Sequence, residues 1–141
     1  MVTGRRRRPE GGDMLENAEL IYSYTRQQAI EDGILIDITT LAQEAGIRYP
    51  VAITSGLFDE LNPTENEQQK LGQHFTGRTW DLLTLFRYYA KRGGQELHFH
   101  IFVQRLTKKN KPKMTKQYVK AVCGPGDNHE PVITIMLPGE D

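Results

Sequence analysis

The chain has 141 residues, 38% of them hydrophobic and 26% charged, with 18 basic against 18 acidic side chains and a single cysteine. That length suits one domain with its own core. Balanced charge supplies no global field toward nucleic acid or membrane, no apolar run is long enough to span a bilayer, and one cysteine excludes an internal disulfide and a cysteine-based zinc site.

In chain order, residues 1–16 read as a disordered basic leader. Arg5, Arg6, Arg7 and Arg8 stand there with a proline and glycines, and cannot bury enough apolar surface to offset the entropy of ordering. No apolar segment follows the arginines, which argues against a secretory signal and for a cytoplasmic protein. Residues 17–141 read as a single α+β domain. Leu20, Tyr22 and Tyr24 alternate as in a short strand. Thr25 and Gln28 then have capping-box spacing for a short helix, "RQQAIED", which Gly33 ends. "ILIDI" reads as a strand. Thr39 or Thr40 caps a second short helix, "LAQEA", which Gly46 closes.

"YPVAIT" begins extended because Tyr49 precedes a proline. Thr54 or Ser55 caps a helix carrying Leu57, Phe58 and Leu61. Residues 62–77 are polar and read as a loop with one helical turn. The longest helix is expected from about Thr79 to Arg92, with Trp80, Leu83, Phe86, Leu82, Leu85 and Tyr89 making its apolar face. Three strands follow, near 97–106, 115–123 and 132–137, as a sequential antiparallel meander. Leu97, Phe99, Ile101 and Val103 should face the core and the helix. The fold class is therefore α+β: short helices and one long helix packed on a small antiparallel sheet.

Charge along the meander is uneven. Seven Lys or Arg and no acid lie between Arg105 and Lys120, and four acids with no Lys or Arg lie between Asp127 and Asp141. Strands of opposite sign suit each other across a hairpin. Lys108, Lys109, Lys111 and Lys113 are expected in a hairpin loop that projects into water.

Four patterns could carry chemistry. Cys123 and His129 flank "GPGDN", which is turn chemistry before a last strand and not a thiol–base dyad or a phosphate cradle. His98 and His100 share one strand face, but no spacing supplies a third ligand, so no metal site and no cofactor is expected. A helix followed by a basic meander resembles the barnase–colicin–RelE group of ribonucleases; that likeness would cast His98, His100, Lys120 and Thr134 as proton-transfer and phosphate-stabilising groups. "YSYTRQQAIEDGIL" is similar to the opening of ADP-ribosyltransferase-like domains, which would line a pocket with Tyr22, Tyr24, Thr25 and Arg26. No Walker loop, G-x-G-x-x-G, H-E-x-x-H or G-x-S-x-G occurs.

"IYSYTRQQAIEDGILIDIT", "YPVAIT" and "CGPGDNHEPVITIMLPGED" together resemble a family of small bacterial proteins of unknown function found on plasmids, integrative elements and prophages. The resemblance implies an accessory protein of a mobile element, countering host defence or serving maintenance of the element, and transfers no catalytic residue. The functional expectation is macromolecular binding, to a protein in the first place, or to nucleic acid through the basic hairpin and Arg5–Arg8. The alternative is a small nuclease acting through His98, His100, Lys120 and Thr134.

Overall fold

A helix as short as α1 (Arg26–Glu31) is marginal alone, and its ends are tied accordingly. The computed structural model, which describes residues 24–140, shows the capping box read from the sequence. The Thr25 hydroxyl accepts from Gln28 N at 3.0 Å, and the Gln28 side-chain Oε1 accepts from Thr25 N at 2.9 Å. Gly33 takes φ +77° and turns the chain into β1 (Leu35–Asp37). The next helix, α2 (Thr39–Glu44), corrects the expectation that Thr39 or Thr40 would cap it: its N-cap is Ile38, with no side-chain cap. Thr39 lies one residue inside, where its hydroxyl accepts from Val51 N at 3.1 Å and ties the helix to β2 (Val51–Thr54). Gly46 follows with φ +90°.

Thr54 caps α3 (Ser55–Leu61), accepting from Leu57 N at 3.2 Å. Residues 62–77 hold more helix than their polarity suggests. Thr64 and Glu67 form a second capping box that starts α4 (Glu65–Leu71), and Gly72 at φ +64° ends it. The long helix α5 spans Phe75–Ala90. Strands β3 (Glu96–Leu106), β4 (Pro112–Pro125) and β5 (Pro131–Met136) follow.

The expected meander is present: β3 pairs antiparallel with β4, and β4 with β5. The sheet goes further, in the order β1-β2-β5-β4-β3, because β2 joins β5 in parallel and β1 joins β2 antiparallel. The sheet is therefore mixed and five-stranded. Its inner face carries Ile53, Ile135, Val119, Ile101 and Val103, all fully buried against Leu57, Leu61, Leu82 and Leu83. Each such side chain contributes about 1.5–3 kcal/mol by leaving water. Phe99 lies inside and His98 outside, as the alternation requires. Trp80 departs from the predicted apolar face: it is 40% exposed, because the buried stripe of α5 runs through Thr79, Leu82, Leu83 and Phe86.

A buried ionic clamp joins α4, α5 and the end of β3. Arg78 is 4% exposed. Its guanidinium donates to the carbonyls of Leu61 at 3.1 Å and Gln104 at 2.6 Å, to Gln73 Oε1 at 3.3 Å and to Glu67 Oε1 at 3.2 Å. Glu67 also accepts from Thr64 N and Leu106 N, each at 3.0 Å.

Two charge expectations are corrected. Lys113 is not in the hairpin loop: β4 begins at Pro112, and Lys113 sits opposite Arg105 in the ladder. The basic stretch does not face the acidic one either. Residues 112–122 pair with β3, and only 120–125 pair with β5, so most of the basic stretch lies beside β3.

Candidate functional site

The last turn answers its own question by what it holds. Gly126 N donates to Glu130 O at 2.6 Å and His129 N to Gly126 O at 3.0 Å, closing the turn between β4 and β5. His129, not Asp127 or Asn128, takes the left-handed conformation, at φ +65°. That leaves Asp127 directed at α1, where its carboxylate accepts from Arg26 N at 2.7 Å and Gln27 N at 3.0 Å. Thr25 serves the third amide and Asp127 the first two, so the helix start is satisfied from two ends of the chain. Arg26 returns the connection, donating to Thr134 Oγ1 at 2.7 Å and Ile133 O at 2.8 Å. Burial pulls the Arg26 pKa down, opposed by Asp37, Asp127 and Glu130. Arg26 thus lines a cleft of about 160 Å³ with those three acids, while Nη1 and Nη2 each donate to β5. Tyr24 is exposed and donates to Asp32, which raises its pKa. Tyr24 is not among the described residues that line this cleft. Tyr22 and Arg5–Arg8 lie outside the described residues.

A cysteine at the end of a strand before a turn is expected from the sequence to be buried or half-buried; Cys123 is exposed. No hydrogen bond joins it to His129. Its amide donates to Gln95 O at 2.8 Å.

The four nuclease candidates share the outer face of the sheet. His98 pairs with exposed Glu96 at 2.7 Å. His98 and Lys120 are register partners across β3 and β4, and Lys120 lies next to Met136 of β5. Lys120 is only 8% exposed. The Thr134 hydroxyl is engaged by Arg26. None of the four lines the 160 Å³ cleft. Among the described residues, no cluster of three or more His, Cys, Asp or Glu could hold a metal ion, and no helix is long and apolar enough to cross a membrane.

The outer face of the β3–β4 hairpin is different. His100 lies opposite Tyr118, with ring centroids 5.2 Å apart, and stands 5.3 Å from Phe102 in an edge-on contact. Phe102, Tyr118 and Met114 are 55%, 52% and 60% exposed, so large apolar groups face water along one stripe. Strand alternation puts Lys116 among them, opposite Phe102. The tip carries Lys108, Lys109 and Lys111, all exposed, in a turn whose Asn110 takes φ +59°. None of these lysine side chains has a hydrogen-bond or ion-pair partner among the described residues. Sequence reasoning found the lysines and His100 but not Phe102, Tyr118 or Met114. Their signal was the polar half of the alternation in "HFHIFVQ", where Phe102 occupies an outward position.

Residues 12–141 match the model of a family described as a family of unknown function (DUF6573). No curated protein and no solved structure matches the chain.

Proposed function

We propose that this chain, which belongs to the family of unknown function DUF6573, acts by binding single-stranded nucleic acid across the outer face of the β3–β4 hairpin. One observation carries the reading: the open rings of Phe102 and Tyr118 flank Lys116 on one face of the hairpin, Lys108, Lys109 and Lys111 stand at its tip with no partner among the described residues, and the sequence from Arg105 to Lys120 holds no carboxylate. Unpaired bases present flat faces that stack on such rings, at about 1–3 kcal/mol per base, while lysines follow the phosphates. A duplex hides those faces. An acidic protein surface would satisfy the lysines but gives no role to rings strung along a strand. On this reading, the accessory role on a plasmid or prophage that the end motifs imply is exercised on single strands.

Fluorescence anisotropy with labelled oligonucleotides of about 15 residues tests it. Neutralising about four phosphates gives log K against log salt a slope near −3 on single strands. Replacing Lys108, Lys109, Lys111 and Lys116 with Gln should flatten that slope. Phe102→Ala with Tyr118→Ala should weaken binding by about tenfold or more and leave the slope intact. Binding that ignores the ring substitutions, or no salt-dependent binding at all, removes the nucleic-acid reading and returns the face to a protein partner.

A further inference from the structure

A pocket of about 310 Å³ opens on the inner side of the sheet, beyond the C-terminal half of α5 and away from the hairpin stripe. Small residues make it: Gly46, Ala90, Gly94 and Ala121 leave space where neighbouring positions carry large side chains. Its apolar surface comes from Leu97, Ile133 and Phe86. An apolar concavity of this size with a few charged groups at its edge is the kind of space small ligands occupy.

The charges say which kind. Arg48 and Arg87 line the pocket, and among the described residues no Asp or Glu does. Neither arginine has a carboxylate within ion-pair distance among the described residues. Arg87 is placed deliberately by the backbone. Its Nη1 donates to Ala45 O at 3.4 Å, and the guanidinium lies over Gly46, where a Cβ would come within 2.9 Å of Nη1. Gly46 already needs the left-handed region, so the same residue ends α2 and clears room for the cation. A guanidinium offers five donors in a fixed fork, and here most have no partner among the described residues.

We propose that this pocket binds a small amphipathic anion: a carboxylate on Arg48 and Arg87, and an apolar body of roughly ten to fifteen non-hydrogen atoms, the number that fills the space at interior packing density, against Leu97, Ala121 and Ile133. The inference is independent of the hairpin reading, since it uses neither the rings nor the lysines.

Cys123 supplies the assay. It is the chain's one cysteine, it is exposed, and it lines the pocket, so its rate of alkylation by iodoacetamide reports occupancy. Decanoate, decanol and decylamine, all below micellar concentration, serve as probes. Decanoate should protect Cys123 at about tenfold lower concentration than decanol, as charge-assisted hydrogen bonds predict, and decylamine should not protect. Replacing Arg48 and Arg87 with Gln should bring decanoate to the decanol value and leave decanol unchanged. Titration calorimetry with decanoate should show the same loss. The variant with Gln at the four hairpin lysines should keep full protection. Equal protection by decanoate and decanol in the unsubstituted protein overturns the proposal. So does decanoate protection that survives the arginine substitutions or vanishes with the lysine ones.

Discussion

Two regions of this protein carry charge to opposite ends. In the Arg78–Glu67 clamp, each ion meets several partners, and backbone groups are among them. On the β3–β4 hairpin, Lys108, Lys109, Lys111 and Lys116 meet none among the described residues. The difference is geometric. Three elements end where Arg78 sits, and their terminal carbonyls and amides need partners; a hairpin's groups are already paired across the ladder, so its side chains are left for water or a partner. Charge in the first region fixes the fold, and charge in the second is available for recognition.

The largest effect should come from breaking the clamp. Arg78→Ala strands the buried Glu67 carboxylate and three acceptors, which should cost about 3–5 kcal/mol in chemical denaturation. The clamp also predicts an acid limb. Burial pushes the Glu67 pKa up, but the amides of Thr64 and Leu106 and the Arg78 guanidinium outweigh it, so the carboxyl sits below its ordinary 4.5. A depressed folded pKa gives stability that is present above the unfolded value and lost as pH falls through the folded one. Denaturation midpoints should therefore fall below about pH 4.5, and less steeply in Glu67→Gln. A mild Arg78→Ala phenotype would show that the backbone groups find water and that the clamp does not organise this corner.

Asp127 is the intermediate case, an exposed charge committed to the fold. Asp127→Ala removes the acceptor for two amides of α1 and should cost about 1 kcal/mol, the scale of a lost cap. Asp127→Asn keeps one acceptor and should recover part of it. Equal stability of all three proteins would mean that Thr25 alone suffices, and that the link between the two end segments is incidental.

What the sequence disclosed follows the reach of its signals. Thr25 and Gln28, Gly33 and Gly46, and the alternation from Leu97 to Val103 are local patterns, and each predicted its element. Thr64 and Glu67 were equally local, but the polarity around them hid a readable capping box. The β2–β5 pairing was not legible, because Val51–Thr54 is a four-residue run buried on both faces and names no neighbour. Asp127 acts across 100 residues of chain and Arg78 on Gln104 across 26, and no periodicity encodes that. Of the functional candidates, the lysines were visible as composition. The rings were not, because an outward Phe is recognised only once the strand's inner face is known.

The smallest effect should also have the opposite sign. Replacing Lys108, Lys109, Lys111 and Lys113 with Gln removes no side-chain hydrogen bond or ion pair among the described residues. It relieves repulsion instead, most directly where Lys113 faces Arg105 across the ladder, since like charges directly opposite are destabilising. Surface changes of this kind stay within about 0.5 kcal/mol. At low ionic strength the variant should therefore melt at or slightly above the unsubstituted protein. The gap should close near 1 M salt, where the screening length is about 3 Å. Arg78→Ala should show no such convergence, because buried charges are screened much less. A lysine variant that melts lower at every salt concentration would show that these cations hold the hairpin together. The division between charges that build the fold and charges left for recognition would then fail at the place where it matters most.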